Sequence, residues 1–380
     1  ANCYVISHPG FYKLPLVYGN AITGGATNTS AYISTAPATM YNGYDMILHH
    51  FKDHAGANIN SPYINVQNSG NPATQASIVW TDQSGIVDGL SVTNAGANSY
   101  LNFHVPADKI KNGNAVIAVK NASGTIMWSW HLWFAPKDAL STITVTNYQG
   151  KNYNFTKETL GWKPTVWSSS TYDKPRTVKV KVEQTIANGG VKQVTVINIT
   201  QNPGIKKEGI STLYQFGRKD AFPGMDETKL PQGSINKNVT DQMSITNGIR
   251  YPQNFYTEHI GNWYRDYPYY NLWSADNIAI SYNDNAVVKT VYDPCPVGFK
   301  MPAGNAFTGF TSNGQHQTSA ANINADGTAD SQDKFDAAHG HNFWTNSSKN
   351  TTIFFPPTGC RNTKTGSLGQ VNEGGYYWSA

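Results

Sequence analysis

The amino-acid sequence predicts a mainly β protein with an α+β end, and three observations carry that reading. The 380 residues are 39% hydrophobic but only 14% charged, with 22 tyrosines and 10 tryptophans, a composition suited to short half-buried strands. Alternating apolar runs recur between clusters of Gly, Pro, Asn, Ser and Thr, which punctuate strands as turns. No long amphipathic helical pattern stands out. The length allows two or three domains with real cores.

The first segment, 1–137, reads as a β-sandwich module of immunoglobulin-like type. It opens on the strand-like Asn2-Cys3-Tyr4-Val5-Ile6, so the chain is expected to be a mature or trimmed product. Strands are expected at 44–51, 76–81, 100–105, 115–120 and 126–134. In the last of these, Ile126, Trp128, Trp130, Leu132 and Phe134 fall on one face and Met127, Ser129, His131 and Trp133 on the other. One face is expected to pack a core and the second to lie under a neighbouring segment.

A second segment, 138–204, carries two clean alternations at 178–184 and 191–201 joined across Asn188-Gly189-Gly190, where positive φ is tolerated and a tight hairpin follows. It reads as a small separate sandwich, the alternative being that it completes the first. Lys179 and Lys181 alternate with Val178, Val180 and Val182 and so mark a solvated strand face and no nucleic-acid groove. From 205 to 380 the composition turns aromatic, Asn-rich and loop-like, with one short helix expected at 334–339. No apolar run approaches the length needed to span a bilayer as a helix. Net charge is +4, spread along the chain. Three cysteines are an odd count; any one pair among Cys3, Cys295 and Cys360 forms a disulfide in an oxidising compartment, or all three stay as buried thiols.

The third segment carries the most specific signals. Tyr292-Asp293-Pro294-Cys295-Pro296-Val297-Gly298-Phe299-Lys300-Met301-Pro302 is followed by Phe355-Pro356-Pro357-Thr358-Gly359-Cys360-Arg361-Asn362 and by Gly374-Gly375-Tyr376-Tyr377-Trp378-Ser379. In order and content these resemble the Fibrobacter succinogenes major paralogous domain, a C-type-lectin-like module, with Tyr214 to Asp220 as its entry. The resemblance implies a C-type-lectin-like domain over 205–380, with Phe299, Phe355, Tyr377 and Trp378 in its core and Tyr377-Trp378-Ser379 on a strand. In the family a final hairpin carrying a second cysteine follows, and its absence here is expected to leave an open edge or groove. The Asn2-Cys3-Tyr4 opening and the segment 113–131 resemble a β-sandwich module of Bacteroidetes surface and fimbrial proteins. The combination implies an extracellular surface protein of a Gram-negative bacterium, a tip or accessory fimbrial subunit whose partners are other fimbrial subunits and a host or microbial surface glycan or protein. An outer-membrane-attached glycan-binding protein is the alternative.

Candidate sites follow from residue chemistry. Tyr264, Tyr267, Tyr269, Tyr270 and Trp273 lie in an Asn-rich stretch, 259–273, suited to stacking on sugar rings or a protein epitope, the alternative being core and turn packing. Asn322, Asn324, Asp326, Asp330 and Asp333, with Gly327, reproduce the oxygen spacing of a twelve-residue calcium loop. Asn at its first position and Asp at its last depart from that pattern, and a solvated Asx-rich turn is the other reading. His49, His50 and His54 have ligand spacing only if helical, whereas the preceding residues read as strand. His339 and His341 give no stronger metal signal. No nucleophile elbow, phosphate loop or His-Glu-x-x-His motif occurs, so no enzymatic activity is expected.

Overall fold

The computed structural model describes residues 1–167, 176–185, 189–201, 207–240, 243–257, 269–316, 322–326 and 340–380. The protein is mostly β, with 38% strand and 10% helix. In chain order the principal strands of its first part are β1 (Cys3–Ile6), β2 (Gly10–Pro15), β3 (Ala73–Thr81), β4 (Asp88–Thr93), β5 (Tyr100–Val105), β6 (Gly113–Asn121) and β7 (Ile126–Phe134). A five-stranded sheet runs β1-β7-β6-β3 and ends on the short strand Gln232–Gly233, while β2-β5-β4 form a second sheet. Leu14, Leu101, Phe103 and Val105 of the smaller sheet share one apolar core with Ile117, Val119, Trp128, Trp130, Leu132 and Phe134 of the larger.

The two faces of β7 are both buried. Trp133 donates its Nε1–H to Trp162 O at 3.1 Å, Ser129 bonds Asp220, and His131 meets Tyr214, so residues near 139–162 and 211–221 cover the second face. At its start the expected alternation inverts. A bulge between Val119 and Lys120 pairs Lys120 with Ile126 and leaves Met127 without a partner across the strand. Such an extra residue re-aims side chains, and Met127 enters the main core while Ile126 packs with Val79 and Trp80 behind the sheet.

The expected strand over 44–51 is reduced to Tyr44–Asp45, which pairs with Met40–Tyr41 across Asn42 and Gly43 at φ 50° and 83°. The Asp45 carboxylate accepts from Thr39 N and Ile47 N at 3.0 Å each and from His49, and this local capping turns the chain out of the ladder.

Residues 138–204 contain β8 (Thr142–Thr146), β9 (Asn152–Thr156), β10 (Lys163–Trp167), β11 (Arg176–Glu183) and β12 (Val194–Gln201). They pair as ribbons: β8 with β9, β10 with Lys207–Ile210, and β11 with β12. Their buried residues belong to clusters shared with other segments: Ala139 and Trp162 with Cys3 and Trp133, and Val145 with Phe310 and Ile353. The hairpin of β11 and β12 has the expected pairing, Val178 opposite Ile199 and Val180 opposite Ile197, but Val178, Val180, Val182, Ile197 and Ile199 all stand exposed.

The segments 1–137 and 205–380 share the main core. Ile245, Ile249, Leu272, Trp273, Val291 and Tyr292 join the residues of the two sheets there, and Asn2 donates to Val291 O and Asp293 O at 2.7 and 2.8 Å while accepting from Trp128 Nε1. A short helix, Ile245–Arg250, supplies two of these residues. Ser244 caps it by accepting from Asn247 N at 3.1 Å, and Ile245 and Ile249 share its inner face at i, i+4. The helix expected at 334–339 lies outside the described residues.

Candidate aromatic cleft

The Pro294–Met301 turn is organised by a buried acid and a lysine. Asp293 is fully buried, and its two carboxylate oxygens accept from Cys295 N at 2.7 Å and Met301 N at 2.8 Å. Lys289 donates to Cys295 O, Pro296 O and Phe299 O and lies 3.6 Å from Asp293. Gly298, at φ 82°, allows the tight reversal. The same loop therefore needs Asp, Gly and a long cation, and it delivers Phe299 half-buried to an open surface.

That surface is a cleft of about 1680 Å³. One wall is β9, whose Phe155 packs on Phe307, Phe310 and Phe355. Phe354, Phe355, Gly359–Arg361 and Tyr376–Trp378 also line it, together with residues of the Pro294–Ala303 turn. The three motif segments that are far apart in sequence thus meet around one space. Arg361 holds its wall in place, donating to Pro223 O at 2.9 Å, Met225 O at 3.1 Å and Gly366 O at 2.9 Å, with Glu227 at 3.5 Å. Burial lowers its pKa, and the Glu227 carboxylate opposes that shift.

The expected strand at Tyr377 and Trp378 is not formed; the backbone of the segment is tied by a bridge between Gly359 and Gly375 and by Ala380 N donating to Pro302 O at 2.9 Å. The two rings still point apart, as adjacent residues in extended chain do. Tyr377 meets Phe355 edge-on at 4.8 Å and donates its hydroxyl to Pro356 O, whereas Trp378 meets Trp273 edge-on at 5.9 Å and donates Nε1–H to Tyr214 O at 3.1 Å. Trp378 is 44% exposed, and Phe299, Phe355 and Tyr377 are only half-buried. The four residues expected in the core, of which only one of Tyr377 and Trp378 can face it, line the cleft, and Phe355 also packs against the cluster of Val145, Phe310 and Ile353.

Behind Tyr214 runs a buried polar chain. Asp82 accepts from Asn114 N at 2.7 Å and Asn114 Nδ2 at 3.0 Å, Lys163 Nζ lies 3.6 Å from the same carboxylate, and Asn114 Oδ1 faces His131 Nε2 at 2.9 Å. Because Asn114 uses its amide hydrogens on Asp82 and Gly161 O, its oxygen accepts, so His131 donates from Nε2 and accepts at Nδ1 from the Tyr214 hydroxyl at 3.1 Å. Burial holds the imidazole neutral, lowering its pKa from 6.5 to about 3. Ser129, Lys219 and Asp220 form a second contiguous set with Lys219 over Trp128. All three are at most 4% exposed, which places their atoms out of reach of a ligand in the cleft.

The predicted aromatic set is divided. Tyr264 and Tyr267 lie outside the described residues. Trp273 is completely buried, donating Nε1–H to Arg218 O at 3.2 Å and packing on Phe216 at 5.1 Å; it belongs to the main core and lines the cleft from beneath. Tyr269 packs against the main core. Tyr270 is half-buried, donates its backbone N–H to Met46 O at 2.9 Å, and is not among the cleft residues. Periodicity gave no sign of the β9 wall as a site; the only available signal was the mixed Asn-Tyr-Asn-Phe order of residues 152–155.

In the expected calcium loop, Ile323 is bridged to Thr311 and Ala325 to Phe343, with Asn322 in a tight turn and Asp326 in a bend at either end. Asn324 commits its side-chain amide to Gly309 O at 2.8 Å. Asp330 and Asp333 lie outside the described residues, as does His339. His49 pairs with Asp45 at 2.8 Å, and among the described residues no group of three His, Cys, Asp or Glu side chains is placed to hold a metal ion. The three cysteines are free thiols; burial pushes all three above their ordinary pKa. The described helices include none long and apolar enough to cross a membrane.

The cleft wall carries Lys151, Lys300 and Arg361 and, among the described residues, no Asp or Glu. Its chemistry is that of aromatic faces with a cationic rim. No protein-family model, curated protein or solved structure matches the chain.

Proposed function

We propose that the protein is an extracellular adhesion protein, a tip or accessory subunit of a bacterial surface filament, and that the aromatic cleft is its ligand surface. The convergence of the three motif segments on one open space is the observation that carries this reading. Large open aromatic surfaces on a soluble chain are costly unless something covers them, and Tyr and Trp anchors are what binding surfaces concentrate. The resemblance to C-type-lectin-like surface modules supports the same conclusion. The rim amides of Asn152, Asn154 and Asn362 favour a second reading, a glycan-binding protein attached to the outer membrane, because stacking combined with amide hydrogen bonds suits sugar rings.

Attachment of bacteria displaying the chain tests the proposal. Lys300→Glu and Tyr376→Ala, both at exposed positions, are expected to abolish attachment at unchanged surface display. Attachment equal to that of the parent strain would remove the cleft from the adhesive surface. Labelling of assembled filaments with an antibody to the chain distinguishes the filament subunit from the membrane-attached glycan binder.

A further inference from the structure

The β9 wall of the cleft is a row of unpaired backbone groups. Asn147 N donates to Lys151 O at 2.8 Å and Lys157 N to Ser141 O at 2.7 Å, at the two ends of the β8–β9 register. Bonded pairs recur at every second residue of an antiparallel ribbon, so Tyr153 and Phe155 exchange their bonds with Val145 and Ile143. Asn152, Asn154 and Thr156 consequently turn N–H and C=O outward on the edge that lines the cleft. Among the described residues no strand pairs with that edge.

Size and charge narrow the occupant. The cleft, at about 1680 Å³, exceeds the roughly 300–1,000 Å³ typical of small-molecule sites. A chain long enough to fill it meets the exposed Lys151 and Lys300 with no carboxylate among the described lining residues, while Arg361 is buried against Glu227 and is not available to it. The exposed hairpin of a second copy is unsuited, because it brings Lys179, Lys181 and Lys192 against this rim with only Glu183 in return, and like charges oppose docking. We propose that the cleft takes an extended, acid-bearing peptide segment of a partner protein, which adds to the free edge of β9 as a third strand. This rests on the reading of the cleft as the ligand surface; backbone pairing then gives affinity, and the aromatic pockets and cations select side chains.

Short random peptides displayed on phage are selected on the immobilised chain, and labelled synthetic copies of the enriched sequences are titrated by fluorescence anisotropy. Enriched peptides are expected to mix apolar and acidic residues and to bind less tightly as salt rises. Asn154→Pro removes an outward N–H without touching the ladder bonds and is expected to bind about tenfold or more weaker than Asn154→Ala, which lacks the same side-chain amide but keeps that N–H. If the proline variant misfolds, hydrogen exchange on the unmodified protein decides: peptide binding is expected to protect the Asn152, Asn154 and Thr156 amides. No enrichment, neutral or basic winners, equal binding by a folded proline variant, or unprotected amides would each overturn strand addition. So would protection of those amides before any peptide is added, since the edge would then be paired within the molecule. Attachment lost in Tyr376→Ala while no peptide binds leaves the adhesive cleft standing and removes only the added strand.

Discussion

His131 shows how one residue couples the buried sheet face to the cleft. Its neutral ring suits its partners: Asn114 Oδ1 can only accept and Tyr214 donates, so a second ring proton would force the Tyr214 hydroxyl out of its donor role. The folded pKa near 3 lies below the ordinary 6.5, so the unfolded chain binds the extra proton first. The stability contribution is therefore fully present above about pH 6.5 and is lost as pH falls towards 3, by up to roughly 1.4 kcal/mol per pH step in that window. Thermal unfolding followed by circular dichroism at stepped pH is expected to show this fall. In His131→Gln, which keeps one donor and one acceptor, the slope between pH 6 and 4 should be shallower; an identical slope would assign the acid sensitivity to other groups. Nothing in the alternating pattern around His131 indicated this role, because the pattern gives the face on which a residue lies and not the partner it meets there.

At the level of elements, the strand Gln232–Gly233 closes the open edge of the five-stranded sheet beside Trp80. Gly233 sits at φ 77°, and a Cβ there would lie 2.1 Å from Val79 O, against backbone that has no room to yield. Gly233→Ala is expected to cost about 1–3 kcal/mol, read as a lower midpoint in urea denaturation. An unchanged midpoint would show that this strand does not stabilise the sheet. The strands at Tyr100–Val105 and Ile126–Phe134 were legible because period-two alternation needs no tertiary information. The 44–51 stretch was not, since the Asp45 carboxylate outcompetes a ladder that has no neighbouring strand to reward it. The Ile126 and Met127 inversion was likewise hidden, because a bulge depends on the partner strand.

Across the whole molecule, the main core draws on residues from Ile6 to Phe134 and again from Met243 to Ala303. Groups that share one core lose their contacts together, so calorimetry of the chain is expected to give a single principal endotherm for these parts. Two well-separated endotherms would show that they unfold independently. The exposed β11–β12 hairpin contributes no residue to any buried cluster, and limited proteolysis is expected to cut there before the core opens.

Composition and alternation were enough to determine a mainly β chain, the positions of its central strands and the two buried faces of β7, because these follow from local sterics and from which residues leave water. The motif order around Cys295, Phe355 and Trp378 marked three segments in the third part of the chain. That they enclose one cleft, that Trp273 lies beneath its wall while Trp378 faces it, and that β9 offers a free edge to it were decided only in the tertiary structure. Each depends on contacts between residues tens to hundreds of positions apart, and the energy of such a contact is absent until folding brings both partners to the same place.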